Sequence, residues 1–263
     1  MDVTTSLAKG WQILEFVSRS GEPVTVRGIA VGTGLSKSTV HRLATELEGQ
    51  GALETEPAGY RLGLQLFELG GIALRQHRLE DAARPIMESL YGQTRRLTQL
   101  GVLLGTDVMY LARVGHQGHQ RVASPVAGRI PATCTALGKA LLAHNPAATD
   151  EAIRSDLVRR TRHSITQPAV LRSQLSQVRR DGYACEYQEA RIGLACVASP
   201  VMIRKSAAAA ISITGPSDSF DPLLSARAVR TAARRLSKVL GEGAPTARLD
   251  NHSSDPGQPT YRR

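Results

Sequence analysis

Between Ser36 and Arg42 the chain sets short hydroxyl side chains beside cations. Ser36, Lys37, Ser38, Thr39, His41 and Arg42 fill this stretch, interrupted only by Val40. Hydroxyls, an imidazole and an arginine fork can hydrogen-bond base edges and phosphate oxygens, which is the chemistry of double-stranded DNA recognition. The group belongs at the start of a helix. Ser36 is an N-cap residue type, and Val40, Leu43, Ala44 and Leu47 recur at the spacing of one buried helical face. Ser38, Arg42 and Thr45 are left on the opposite face. A recognition helix reaches base edges with its N-terminal residues, and its free amides favour phosphate oxygens.

The neighbouring segments are those needed to hold such a helix. Ile29 and Ala30 close a short preceding helix, and Gly32 and Gly34 are read as bracketing the turn between the two. Behind the recognition helix, Ala52 to Thr55 and Tyr60 to Leu62 flank a turn at Glu56-Pro57-Ala58-Gly59, a hairpin placed as a wing. A first helix is marked by Leu7, Ile13, Leu14 and Val17, with Trp11 as its large aromatic.

Other residues capable of chemistry give less. Cys134, Cys185 and Cys196 are odd in number and lack CxxC spacing, so neither a disulfide framework nor a zinc site is expected. His116 and His119 have the i, i+3 spacing of a metal pair without a nearby cysteine or carboxylate, and they read as solvated loop residues. Gly138-Lys139 looks like the end of a P-loop, but Ala140 stands where magnesium needs a hydroxyl and Thr133 where the first glycine is needed. No GxSxG or Cys-His motif with recognisable context follows. No metal, cofactor or enzymatic activity is expected. The alternatives are a regulator in which a cysteine senses oxidants, and a thiol-dependent activity in the C-terminal half.

Three blocks together carry a resemblance to a family. IAVGTGLSKSTVHRL with its wing, TALGKALLA from Thr135 to Ala143, and GLACVASPV from Gly193 to Val201 make the chain similar to IclR-type bacterial transcriptional regulators from about Leu7 to Leu240. The resemblance implies a GAF-like C-terminal domain that binds a small effector, often an organic acid, and a helix that joins the domains and contributes to dimerisation. Carried over by motif, the effector meets the backbone at Ala136 and Leu137 and the side chains of Glu186, Cys196, Ser212 and Thr214. Glu186 stands where the family often has Asp, and Thr214 where it often has Ser. The residues agree in part: Thr135 can cap a helix whose first amides hold an anion, and Ser212 and Thr214 alternate with Ile211 and Ile213 on a strand. Cys196, among apolar residues, reads first as an inert core thiol.

The remaining elements support an α+β chain with four parts: a winged helix-turn-helix over 1–62, a linker helix over 63–78, an effector domain over 79–240, and a polar tail over 241–263 expected to be disordered. The linker carries Leu66, Leu69, Ile72 and Ala73 as a stripe. Helices are expected at Leu79 to Thr98, Thr135 to His144, Asp150 to Val158, Ala169 to Arg180 and Leu223 to Leu240. Six strands of an antiparallel sheet are expected at Leu100 to Leu104, Val108 to Val114, Val122 to Pro125, Tyr183 to Tyr187, Ile192 to Met202 and Ala207 to Thr214. Arg227, Arg230, Arg234 and Lys238 form a stripe on the last helix, opposite Leu224, Val229, Leu236 and Leu240.

The 263 residues carry a net charge of +10, but six basic residues face seven acidic ones from Met1 to Leu62. That segment has a net charge of −1 and the remainder +11. DNA binding therefore rests on where the cations sit rather than on bulk charge. No signal peptide or apolar run of membrane-spanning length is present, and a soluble, cytoplasmic protein is expected. The implied partners are double-stranded operator DNA, a small-molecule effector and further copies of the chain, as a dimer or a dimer of dimers.

Overall fold

A computed structural model describes residues 5–76, 79–115 and 128–242. The chain divides into two compact units, Met1–His77 and Arg78–Arg263. The expected tail, the strand at Val122 to Pro125 and the pair His116 and His119 fall wholly or mostly outside the described residues.

The first unit is built from α1 (Ser6–Ser18), α2 (Val26–Thr33), α3 (Lys37–Gly49), the hairpin β1 (Leu53–Glu56) and β2 (Gly59–Leu62), and α4 (Leu64–Gln76). Its core is Ile13, Val17, Ile29, Ala30, Val40, Leu43, Ala44 and Leu53. Leu7, expected on the buried face of α1, is exposed, as is Trp11. Leu7 lies in the first turn of α1, outside the core of this unit.

The turn is also placed differently. Gly32 lies inside α2, and only Gly34, left-handed at φ 73°, caps it. A Cβ at Gly32 would sit 1.9 Å from the Phe16 ring, so its missing side chain serves the packing of α1 on α2 rather than the turn. The wing is tied to the helices through Val24, whose amide donates to the Tyr60 carbonyl at 2.8 Å and whose carbonyl accepts from Tyr60 at 2.9 Å.

The second unit holds α5 (Leu79–Thr94), β3 (Leu97–Leu104), β4 (Asp107–Val114), β5 (Arg129–Pro131), α6 (Ala136–Leu142), α7 (Pro146–Arg154), α8 (Pro168–Asp181), β6 (Ala184–Tyr187), β7 (Leu194–Ile203), β8 (Ser206–Pro216) and α9 (Pro222–Glu242). The sheet is antiparallel throughout, in the order β5-β4-β3-β8-β7-β6. α5 and α9 cover one face through Leu100, Val197, Ile211 and Ile213. α6, α7 and α8 cover the other, where Ala198 and Ala210 let α6 lie close. With both faces covered, the central strands are buried almost end to end.

Several boundaries correct the expectation. α5 stops at Thr94, because Arg95 adopts φ 53° and turns the chain into β3 three residues early. α7 starts at Pro146 under an Asn145 cap and ends at Arg154, so the cap rather than the later acidic residues sets its start. β5 was not anticipated, since three residues carry too little pattern. On α9, Val229, Leu236 and Leu240 are buried but Leu224 is exposed, in the first turn before the helix reaches the sheet. No helix among the described residues is long and apolar enough to cross a membrane.

Candidate nucleic-acid interface and effector cleft

The start of α3 is a cluster of polar groups. Ser36 caps it, its Oγ accepting from the Thr39 amide at 3.2 Å and lying 3.0 Å from Ser38 Oγ and 2.8 Å from Thr39 Oγ1. Ser36, Lys37, Ser38, His41 and Arg42 are exposed, whereas Thr39 is half-buried with its hydroxyl engaged. Arg42 Nη1 holds Glu46 Oε1 at 2.6 Å, one turn along on the same exposed face. Base contact by Arg42 therefore requires exchange of a solvent-exposed ion pair, which is a small cost. The wing is different in charge: Arg61 is shared between Glu54 at 2.7 Å and Glu56 at 2.9 Å, so the hairpin offers no spare cation to phosphate.

In the second unit a small pocket of about 30 Å³, partly open to solvent, lies between α6, the sheet and the loop that joins β6 to β7. Ala136, Leu137, Glu186, Cys196 and Thr214 line it, five of the six residues carried over by motif. The sheet register explains the convergence, because Glu186 pairs with Cys196 and Cys196 with Thr214 in one row across β6, β7 and β8. Ser212 is the exception. It sits two residues away on β8, opposite Ala198 and Gln99, fully buried and not part of the lining.

The α6 end of the cleft is fixed by close packing. Thr135 caps α6 by accepting from the Gly138 amide at 2.9 Å. Gly138 leaves no room for more, since a Cβ there would lie 2.1 Å from the Ala132 carbonyl oxygen.

Behind the opposite wall is an ion pair that the sequence reading missed. Lys139, set aside above as the end of a false P-loop, is fully buried and its Nζ lies 2.5 Å from Glu189 Oε1. Glu186 Oε2 accepts from the amides of Glu189 at 2.8 Å and Ala190 at 3.4 Å, while the hydroxyl of Ser164 donates to the Glu189 carbonyl at 2.9 Å. The loop is thus held from several sides. Its Ala190 and Arg191 complete the lining, together with Gln99, Tyr110, Ile130, Thr135 and Leu194. Spacing could not reveal this arrangement, because Lys139 and Glu189 are far apart in sequence and meet only through the packing of α6 on the sheet.

Burial dominates the ionisation. It pushes the Glu186 carboxyl up to about 7, with the Glu189 charge adding and the two amides and Lys139 opposing. Burial likewise raises Glu189 despite its lysine. The Cys196 thiol is pushed up to about 12, chiefly by burial, and Thr214 Oγ1 donates to its sulfur at 3.1 Å. Such a thiol holds almost no thiolate near neutrality. Among the described residues no three His, Cys, Asp or Glu side chains converge as a metal site.

A winged helix-turn-helix unit followed by a sheet domain with a pocket of mixed apolar and polar lining fits a DNA-binding regulator with a ligand-binding domain. Comparison with known proteins gives the same class. Residues 72–238 match the family described as bacterial transcriptional regulator IclR C-terminal, and residues 6–57 match the IclR helix-turn-helix domain. The chain belongs to the IclR family of bacterial transcriptional regulators. It is 33% identical over 240 residues to the HTH-type transcriptional regulator BhcR of Paracoccus denitrificans, covering 88% of this chain and 86% of that protein. It is 29% identical over 221 residues to the transcriptional repressor IclR of Escherichia coli, covering 80% of each. An IclR homolog from Microbacterium hydrocarbonoxydans, solved in complex with 4-hydroxybenzoate, superposes with a TM-score of 0.79 at 29% identity, covering 90% of this chain and 99% of that one.

Proposed function

We propose that this regulator is a cytoplasmic homo-oligomer whose operator affinity is set by a small organic acid held in the cleft beside Glu186. The observation that carries this reading is a buried carboxylate, Glu186, facing a pocket that Arg191 and the first residues of α6 also line. Ser36, Lys37, Ser38, Thr39, His41 and Arg42 read the operator from the start of α3. Leu64, Phe67, Leu69 and Ile72, exposed on α4, supply the apolar surface by which copies associate. Effector binding then acts by favouring one arrangement of paired recognition helices over another.

An acid and a carboxylate in one cleft repel unless a proton lies between them. Glu186 supplies that proton itself below about pH 7, and above it the effector we infer is an acid that also carries a hydrogen-bond donor, such as a hydroxyl, directed at Glu186. The 4-hydroxybenzoate bound by the Microbacterium relative has this pattern. A thiol sensor at Cys196 is the weaker reading, because the raised thiol pKa leaves it unreactive.

Calorimetry with matched acids, 4-hydroxybenzoate against benzoate and 2-hydroxy acids against their deoxy partners, tests the assignment. Each hydroxylated member should bind more tightly to the wild type, and the advantage should shrink in Glu186→Ala. Equal binding of both members at pH 8 would remove Glu186 from the site.

A further inference from the structure

We propose that the outward face of α9 is a second DNA-binding surface, one that grips the phosphate backbone of duplex DNA without reading its sequence. α9 has the sequence PLLSARAVRTAARRLSKVLGE, with five cations and no acid before its last residue. Ala226, Val229, Ala233, Leu236 and Leu240 face the sheet and α5. The opposite side presents Arg227, Arg234 and Lys238, flanked by Arg230 and Arg235. From Arg227 to Lys238 the stripe extends about 16 Å at the helical rise.

On the other helices Arg27, Arg179 and Arg180 hold no carboxylate among the described residues, but four arginines do. Arg42, Arg84, Arg154 and Arg172 each hold a carboxylate, namely Glu46, Glu80, Glu151 and Asp150. Arg227, Arg230, Arg234 and Arg235 make no ion pair among the described residues. Positions 227 and 230, and 230 and 234, are neighbours on the helix surface, so these arginines repel one another in the free protein. The turn between β7 and β8 adds exposed Arg204 and Lys205. It lies beside the same helix, since the Met202 amide donates to Ser237 Oγ at 2.9 Å.

Charge complementarity selects the occupant. Duplex DNA presents one negative charge per ~1.7 Å of axis and rewards each neutralised phosphate with counterion release. The arginine fork matches phosphate oxygens, and four of the five α9 cations are arginine. The winged unit adds few cations of its own to this term, since the segment through Leu62 has a net charge of −1. An acidic protein is the competing occupant, and the experiment separates it.

The test uses the full chain and a 30-base-pair duplex of random sequence, followed by fluorescence anisotropy over a KCl series. The fourfold variant R227Q, R230Q, R234Q and R235Q should show a plot of log affinity against log salt shallower by roughly 2 to 4, at ~0.9 per lost phosphate contact, and a tenfold or greater loss near ~0.1 M KCl. The corresponding fourfold Arg→Lys variant should keep most of the slope. A control with R95Q, R129Q, R159Q and R162Q removes the same charge from exposed arginines elsewhere and should change the slope by less than one. Circular dichroism and sedimentation confirm that each variant keeps its fold and assembly. An unchanged slope in the first variant, as an acidic protein partner would give, overturns the proposal. So does an equal change in the control.

Discussion

Lys139 and Glu189 meet inside the effector domain with Nζ 2.5 Å from Oε1, the lysine fully buried and the glutamate nearly so. The pair joins α6, which starts one side of the cleft, to the loop that forms the other side. Lys139→Met leaves the Glu189 carboxylate buried without its cation, and such a loss costs about 3 to 5 kcal/mol. The double variant Lys139→Met with Glu189→Leu should recover most of it. Urea unfolding of the single and double variants checks this, and equal instability of the two would mean that the pair is not coupled.

Glu186 makes stability depend on pH. Its carboxyl titrates at about 7 in the folded protein against 4.5 ordinarily. Between those values the folded state keeps a proton that the unfolded chain has released, so stability falls as pH rises across the window. The full shift corresponds to roughly 3 kcal/mol. Lys139, Glu189, Cys185, Cys196 and Arg191 are the other titratable groups around it, and none is replaced in Glu186→Gln. That variant should lose less stability than the wild type between pH 5 and pH 8. Parallel slopes in urea unfolding at the two pH values would contradict the assignment.

Gly138→Ala tests the close approach at the start of α6. The added Cβ would stand 2.1 Å from the Ala132 carbonyl oxygen, a backbone atom that cannot swing aside. Overpacking of this kind costs about 1 to 3 kcal/mol. The melting temperature should fall, and effector affinity with it, because the amides of Ala136 and Leu137 move. An unchanged melting temperature would show that the helix shifts freely.

Arg42→Ala tests the recognition helix. Loss of a bidentate base contact costs about 1 to 3 kcal/mol on operator DNA and far less on scrambled DNA. The Arg42–Glu46 pair hardly alters this, since both side chains are more than half exposed. Binding to both duplexes at one salt concentration decides it. Equal loss on the two would reduce Arg42 to a phosphate contact.

The winged unit and most of the sheet were legible in the sequence because their signals are local: an N-cap at Ser36, an apolar face on α3, a Pro-Ala-Gly turn, and strands rich in Val, Ile and Ala. The errors fall where tertiary contact overrides the local signal. Gly32 reads as a turn glycine until Phe16 is seen against it, and Leu7 reads as core although it is exposed in the first turn of α1. The row Glu186, Cys196 and Thr214 came from family resemblance, and only the register across three strands shows why those residues meet. Lys139 with Glu189 left no trace in spacing, since a lysine that follows a glycine at a helix start looks like any other.

The central claim is that a small acid in the cleft changes how tightly the protein holds DNA. It is tested most directly by measuring affinity for the DNA upstream of its own gene, with and without 4-hydroxybenzoate and a panel of short hydroxy acids, on the wild type and on Ala190→Trp. The indole of that variant fills the cleft from the loop side. At least one acid should shift the wild-type Kd by about fivefold or more, the lower end of ordinary allosteric coupling, and leave the variant unmoved. If every acid leaves the wild-type Kd unchanged, or shifts the cleft-filled variant equally, the cleft is not the control point.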